Sequence, residues 1–121
     1  MRIMVVDDSE IIRIKIADVL ADENFEIVGK ANNGVDAVKQ FQQLRPEIMT
    51  LDITMPLMDG IETIKKIVEI DDQVRILVVS ALADKATLLR AMSLGAYGFL
   101  CKPFTDNDLA EAIEELIEDL V

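Results

Sequence analysis

The amino-acid sequence predicts a doubly wound α/β domain: a (βα)5 fold whose five-stranded parallel sheet has helices on both faces. Short apolar runs alternate with segments of helical period along the chain, and several of the runs are continuously apolar. Continuous apolar runs are typical of strands covered on both faces, and alternation of strands with helices implies parallel pairing through right-handed crossovers. The 121 residues are enough for one such domain, so we expect a single domain over residues 1–121.

Five segments of the chain are predicted as strands. The first, third and fourth are the apolar runs that indicate burial on both faces. The predicted strands cover residues 3–6, 26–31, 48–51, 75–80 and 98–101. Cys101, at the end of the last strand, is expected to be a small buried residue.

The first predicted helix, after residue 9, has an ambiguous pattern. Ile12, Ile14 and Ile16 alternate with charged residues, as in a half-buried strand. The apolar spacing also fits one helical face that continues to Leu20, and Asp8 or Ser9 is a good N-terminal cap. Length and continuation favour the helix.

The other four helices follow from apolar residues spaced three or four positions apart. Pro46 follows the second helix, and Gly95 is expected to end the fourth. The apolar positions are Val35, Val38, Phe41 and Leu44; Ile61, Ile64, Ile67 and Val68; Leu88, Ala91 and Met92; and Leu109, Ile113, Leu116 and Leu120.

Composition and charge exclude several classes of function. The chain has a net charge of −11, which argues against direct nucleic-acid binding, and it has no histidine for a histidine-based nucleophile or a typical zinc site. Its single cysteine cannot form an internal disulfide. The uncharged runs are shorter than the ~18 residues of a membrane span, and the N-terminus does not resemble a signal peptide. We therefore expect a cytoplasmic protein without membrane insertion.

Polar residues follow four of the predicted strands at their C-terminal ends. Asp7 and Asp8 follow the first strand, Asp52 the third and Lys102 the fifth, while Ser80 ends the fourth. In open parallel sheets, binding sites form outside the carboxyl ends of the strands, beside the topological switch point. These five side chains are therefore expected to converge on one patch.

Three converging carboxylates repel one another unless a cation lies among them. Oxygen ligands favour Mg²⁺, with Mn²⁺ as a possible substitute. Lys102 and Ser80 would stabilise an anion there, so the patch suits a phosphoryl group on a carboxylate. Each aspartate alone could equally be a helix cap or a loop acid.

Four short motifs surround these residues: VVDDS at 5–9, LDITMPLMDG at 51–60, VVSA at 78–81 and FLCKPF at 99–104. With these motifs, the chain resembles the receiver domains of two-component response regulators. The resemblance covers the whole chain and is nearest to single-domain, chemotaxis-type members. It implies a flavodoxin-like or CheY-like fold.

This resemblance implies a role for each residue of the patch. Asp52 corresponds to the phosphoacceptor, which together with Asp7, Asp8 and the main-chain carbonyl of Thr54 would hold Mg²⁺. Ser80 corresponds to the switch hydroxyl. The remaining correspondences are Lys102 with the active-site lysine, Phe99 with the rotating aromatic residue, and Pro103 with a cis-proline.

The resemblance also implies partners and a lifetime. A sensor histidine kinase or a small acyl phosphate would supply the phosphoryl group, since the chain cannot form phosphohistidine itself. A downstream protein would bind the changed surface. The chain is expected to be a monomer and to catalyse no reaction other than its own phosphorylation and dephosphorylation. Thr54 and Leu82 occupy the positions that help to orient the attacking water, and because Leu82 offers no hydrogen bond we expect slow self-dephosphorylation.

The last predicted helix carries acids without a base. Its bland interpretation is a solvated face; its functional interpretation is contact with a basic partner, with Phe99 buried only in the activated form. The acids after Lys102 are Asp106, Asp108, Glu111, Glu114, Glu115, Glu118 and Asp119.

Two alternatives remain beside the receiver hypothesis, and one further possibility remains within it. A Mg²⁺-dependent phosphatase with an aspartate nucleophile needs a second aspartate two residues on, where this chain has Thr54. A flavodoxin-like electron carrier needs a phosphate loop rich in Ser, Thr and Gly, whereas DDSE would repel phosphate. The chain could also be the receiver of a longer regulator with an output domain. The sequence does not indicate which kinase, phosphatase, target or pathway is involved.

Overall fold

The computed structural model describes residues 1–54, 58–81 and 84–118. Within these residues, five strands and five helices alternate along the chain, which confirms the predicted fold class. They are β1 Arg2–Val6, α1 Glu10–Asp22, β2 Glu26–Ala31, α2 Gly34–Leu44, β3 Ile48–Leu51, α3 Gly60–Ile70, β4 Arg75–Ser80, α4 Lys85–Leu94, β5 Gly98–Cys101 and α5 Asp106–Ile117. Leu82 and Leu120 lie outside the described residues.

The strands pair in parallel in the order β2-β1-β3-β4-β5. All residues of β3 and β4 are buried, and only the first residue of β1 is not, as the continuous apolar runs predict. The edge strands β2 and β5 contain half-buried and exposed positions. The switch point of the topology lies at β1, because the chain reaches β2 on one side of it and β3 on the other.

Helices cover both faces of the sheet, and alternate residues of β1 show the two layers. Met4 and Val6 pack with Phe41 of α2 in a core shared with α3 and α4. Ile3 and Val5 pack in the opposite layer, against α1 and α5. Each large apolar side chain that is fully buried, such as Phe41, contributes about 1.5–3 kcal/mol to the free energy of folding, so both layers stabilise the sheet.

The ambiguous segment after residue 9 is a helix. The Ser9 hydroxyl accepts a hydrogen bond from the Ile12 backbone N–H at 3.3 Å and caps α1. Ile16 and Leu20 are buried on its inner face, while Ile14 points outward with 48 % of its surface exposed. The strand-like alternation of isoleucines therefore spans two faces of a helix.

Gly95 ends α4, as expected, with a φ of 128° that L side chains rarely adopt. None of the helices among residues 1–54, 58–81 and 84–118 has the length and apolar character needed to cross a lipid bilayer.

The prediction that Cys101 is buried is wrong: its side chain is exposed. Burial alternates along β5, where Gly98 and Leu100 are half-buried while Phe99 and Cys101 are exposed. Leu100 packs in the α1–α5 layer, and on the other face α4 packs against α3. The face of β5 that carries Phe99 and Cys101 therefore stays open to solvent at this edge of the sheet.

Candidate functional site

The two central strands place Asp7 and Asp52 side by side. Asp7 follows β1 and Asp52 follows β3, and the last residues of these strands, Val6 and Leu51, are partners in the parallel register. The Asp52 backbone N–H extends the ladder by donating to the Val6 carbonyl at 3.0 Å. Both aspartates thus stand at the carboxyl end of the sheet, where the topology switches direction.

The three predicted acids form one cluster. One carboxylate oxygen from each of Asp7, Asp8 and Asp52 lies within 4.8 Å of the others. Asp7 and Asp52 are buried, whereas Asp8 is exposed. Carboxylates at this separation repel one another, and a set of oxygen donors suits a hard divalent cation that keeps some of its waters. The residues present therefore fit Mg²⁺ or Mn²⁺.

Lys102 supplies the positive charge of the cluster. Its Nζ lies 2.7 Å from Asp7 Oδ2 and 3.5 Å from Asp52 Oδ2. The Lys102 backbone N–H donates to the Ser80 carbonyl at 3.0 Å, which fixes the lysine beside the end of β4. The Lys102–Pro103 bond is cis, as the sequence motif predicts.

Burial dominates the electrostatics of Asp52. Loss of solvation raises the pKa of its carboxyl above the ordinary value of 3.8, and the charges of Asp7 and Asp8 raise this pKa further. Lys102 and a hydrogen bond from the Thr54 backbone act in the opposite direction and lower the Asp52 pKa. A cation among the acids would therefore favour the ionised form, which is the nucleophilic one.

The loop after β3 orients Asp52. The Thr54 backbone N–H donates to Asp52 Oδ1 at 3.2 Å, and the Gly60 N–H donates to the Ile53 carbonyl at 2.7 Å. A Cβ on Gly60 would lie 2.4 Å from the Ile53 Cα, so only glycine allows α3 to begin this close to the loop. Residues 55–57 of the same motif lie outside the described part of the chain, and the ligand role of the Thr54 carbonyl stays a prediction.

Ser80 and Phe99 occupy neighbouring strands at the same end of the sheet. Ser80 is buried at the end of β4, opposite Cys101 of β5. Phe99 pairs with Val78, two residues before Ser80, and 49 % of its surface is exposed. The predicted switch residue Ser80 and the exposed Phe99 ring therefore lie on adjacent strands, two residues apart in the register.

Two cations of α1 contact the loops that form the site, a role that the sequence analysis missed. Arg13 Nη1 donates to the Asp7 carbonyl at 2.7 Å. Lys15 Nζ donates to the Phe104 carbonyl at 2.7 Å and lies 4.6 Å from the centroid of the Phe104 ring. The signal was present as bases between the isoleucines of α1, but that spacing alone indicates only a polar helix face.

An apolar surface lies next to the acidic helix. We define the output face as Tyr97 and Phe99, both exposed, together with the exposed acids Glu111, Glu114 and Glu115 of α5 and Glu118, which directly follows this helix. Tyr97, Phe99 and Glu115 help to line a cavity of about 250 Å³, and the four glutamates line another of about 340 Å³. The two halves of this face adjoin because Glu115 lines both cavities.

Comparisons with known proteins find relatives that match this chain over nearly its full length. The chemotaxis protein CheY of Bacillus subtilis is 40 % identical over 116 residues, covering 96 % of this chain and 97 % of that protein. The CheY of Thermotoga maritima is 38 % identical over 115 residues, covering 95 % and 96 %.

Solved structures give the same result. CheY in the CheX–CheY–BeF3–Mg²⁺ complex from Borrelia burgdorferi has a TM-score of 0.94 at 29 % identity, covering 97 % of this chain and 89 % of that one. The response regulator domain of Thermotoga maritima CheB has a TM-score of 0.87 at 31 % identity, covering 98 % and 94 %. The response regulator receiver domain model matches residues 3–114. The chain belongs to the response regulator receiver domain family.

Proposed function

We propose that Asp52 accepts a phosphoryl group in a Mg²⁺-dependent reaction and that the resulting change of surface controls binding to a downstream protein. The observation that carries this proposal is the convergence of Asp7, Asp8 and Asp52 within 4.8 Å, with Lys102 in contact with two of them. Membership of the receiver family supports a phosphorylation-dependent signalling switch.

The chemistry requires little beyond positioning and charge. An oxygen of the Asp52 carboxylate attacks the donor's phosphorus in line with the leaving group, and the neighbouring cations neutralise the charge of the transferred group. Asp7, Asp8, Asp52 and the Thr54 carbonyl would hold Mg²⁺, which when bound supplies charge neutralisation for phosphoryl transfer. The ammonium of Lys102, which contacts Asp7, would move to contact the oxygens of the new phosphoryl group.

The donor is external to this chain. From the family we infer that the donor group is a phosphohistidine on a sensor histidine kinase. These 121 residues include no histidine, so they cannot carry that group themselves. A small acyl phosphate is the second donor class. We take residues 1–121 as one receiver unit that acts in the cytoplasm as a monomer and turns over no other substrate. A phosphatase with an aspartate nucleophile is not favoured, because Thr54 stands where that class needs its general acid.

We infer that Ser80 and Phe99 transmit the phosphorylated state. A phosphoryl group on Asp52 would draw the Ser80 hydroxyl toward it as a hydrogen-bond donor, and the space left at the end of β4 would admit the Phe99 ring. Phe99 would then change from the half-exposed position seen here to a buried one. Such a two-state repacking couples a local charge to a distant surface.

The output face indicates the chemistry of the downstream partner. Its two aromatic side chains adjoin the four glutamates, and α5 contains no base. A partner segment that is apolar and basic would match both parts, and opposite charge would speed its association. The complex of CheX with the Borrelia CheY is a relative's example of a protein bound to this kind of domain.

Treatment with acetyl phosphate and Mg²⁺ tests the proposed function. Intact-mass analysis should show one added phosphoryl group that hydroxylamine removes, and Asp52→Asn or chelation of the metal should abolish it. Asp59→Asn is the matched control. Asp59 is the exposed N-cap of α3, its side chain accepts a hydrogen bond from the Glu62 backbone N–H, and asparagine can accept the same bond. Labelling that persists in Asp52→Asn would contradict the assignment.

A further inference from the structure

Lys15 of α1 contacts the segment between β5 and α5, and the proposed function gives this lysine no role. Its Nζ donates to the Phe104 carbonyl at 2.7 Å and lies 4.6 Å from the centroid of the Phe104 ring. A charged donor makes a stronger hydrogen bond than a neutral one, and an ammonium is also attracted to an aromatic face. Two interactions therefore hold the Lys15 ammonium against Phe104.

Phe104 in turn lies close to Lys102 along the chain. The Phe104 side chain is buried in the layer that packs with α1 and α5, whereas Lys15 is half-buried. Lys102 precedes Phe104 by two residues, and the Lys102 N–H donates to the Ser80 carbonyl at 3.0 Å. The backbone that carries the Lys102 side chain is thus held by β4 on one side, and by Phe104 with its contact to Lys15 on the other.

The helix α1 also holds the loop of the acid that Lys102 contacts. Arg13 Nη1 donates to the Asp7 carbonyl at 2.7 Å. Residues two apart on a helix point roughly 200° from each other, so Arg13 and Lys15 reach loops on different sides of α1. The side chains of these two loops meet where Lys102 Nζ contacts Asp7 Oδ2 at 2.7 Å. One helix therefore anchors both of the main chains that this ion pair connects.

We propose, on the basis of the function given above, that Lys15 is a positioning residue for the phosphorylation of Asp52 and acts through Lys102. Its contact is with the backbone and ring of Phe104 rather than with the acid cluster, so it controls where the Lys102 ammonium lies and not the metal ligands. Phosphoryl transfer depends on correctly placed positive charge, and a small displacement of a catalytic group lowers its rate.

Lys15→Met tests this role, because methionine retains an apolar stem and removes the ammonium. The rate constant for phosphorylation by acetyl phosphate with Mg²⁺ should fall by about three- to tenfold, since the Lys102 side chain is displaced rather than removed. Mg²⁺ affinity, measured by calorimetry, should be nearly unchanged. Lys15→Arg should restore the rate, because a guanidinium can donate to the same carbonyl and lie over the same ring.

Lys39→Met is the matched control, since Lys39 is an exposed cation of α2 and its loss changes the net charge equally. This variant should be phosphorylated at the wild-type rate. Equal losses in Lys15→Met and Lys39→Met, or a loss that Lys15→Arg does not restore, would overturn the assignment while leaving Asp52 as the phosphoacceptor.

Removal of Lys102 separates a positioning role from a general structural one. Lys102→Met should itself slow phosphorylation, and adding Lys15→Met to it should cause no further loss, because the residue through which Lys15 acts is absent. A loss by the same factor in both backgrounds would show that Lys15 acts on the acids or on the fold as a whole, and the proposal would be wrong.

The Lys102 side chain gives a readout that does not depend on phosphorylation. The two Hε protons of an immobilised lysine differ in chemical shift, whereas free rotation averages them. The ¹H–¹³C signals of Lys102, assigned by their loss in Lys102→Met, should be split in the wild type and in Lys15→Arg and averaged in Lys15→Met. Averaged signals in the wild type, or splitting that persists in Lys15→Met, would contradict the positioning role. If acetyl phosphate does not label the wild type, the proposed function fails, and this splitting still decides whether Lys15 positions Lys102.

Discussion

Carboxylates gather in two regions of this molecule, and the regions behave differently. Asp7, Asp8 and Asp52 meet at the carboxyl ends of strands, two of them buried and all within 4.8 Å of one another. The exposed glutamates Glu111, Glu114 and Glu115 lie on α5, and the exposed Glu118 directly follows it. The strand-end group has a lysine in direct contact, whereas α5 contains no base.

This difference shows that burial and convergence, rather than the number of acids, make a site. Exposed charges are screened by water and salt, so in the proposed function the α5 acids would act only by steering an approaching partner. Buried charges interact strongly and must be compensated by a nearby cation. The same carboxylate chemistry therefore forms a compact buried cluster at one place and a solvated charged surface at the other.

The largest contrast between the regions is expected in metal binding. Asp8→Ala should weaken Mg²⁺ binding by at least about tenfold, because it removes one oxygen ligand while leaving the contact between Lys102 and Asp7 intact. Glu114→Ala removes an exposed acid of α5 and should change nothing. Isothermal titration calorimetry measures both. Equal weakening in the two variants would show that Mg²⁺ responds only to overall charge.

Charge reversal on α5 should have the next largest effect, and on a different property. At low salt, the combined Glu111→Lys, Glu115→Lys and Glu118→Lys variant should bind the downstream partner about tenfold more weakly than the wild type does, because the steering charge is reversed. The wild type and the variant are both compared in the beryllofluoride-bound form. High salt should reduce the difference, and phosphorylation of Asp52 should be unchanged. Partner recovery that is equal at both salt concentrations would identify the α5 acids as a solubilising face.

The smallest effect concerns stability without metal. Burial and like charges raise the pKa of Asp52, so the folded state binds more protons than the unfolded state from pH 3.8 up to the raised pKa. Wild-type stability therefore falls as the pH rises through this window. Asp52→Asn should be more stable than wild type at neutral pH by about 0.5–2 kcal/mol.

Thermal unfolding in the presence of a chelator measures this difference. It should disappear below pH 3.8, where the carboxyl is protonated in both states. Glu115→Gln, an exposed acid of α5, is the control and should alter stability little at any pH. A gain in Asp52→Asn that is the same at every pH would have another cause.

Much of the fold could be predicted because it depends on patterns within single segments. The apolar pattern of each segment located every strand, with only the start of β1 differing by one residue, at Arg2. The meeting of Asp7 with Asp52 followed from parallel pairing, since strand ends share an edge. The exposure of Cys101 did not follow, because strand order rather than local sequence makes β5 an edge.

Two further contacts could not be predicted from the sequence. They are the contact of Arg13 with the Asp7 carbonyl and the closer approach of Lys102 to Asp7 than to Asp52. Both depend on how long side chains cross between elements that are distant in the chain. A spacing rule reports which face of an element a residue occupies, but it does not report which backbone carbonyl or carboxylate a flexible cation reaches. Such contacts require the tertiary arrangement.

The contact of Lys102 with the acids has a consequence for electroneutrality. Three carboxylates and one ammonium leave two negative charges, which one divalent cation cancels in full. Replacing the Asp52 carboxylate by its phosphorylated form then adds a single negative charge to a neutral site. In the proposed function, this one added charge is the electrostatic change to which Ser80 and the neighbouring backbone would respond.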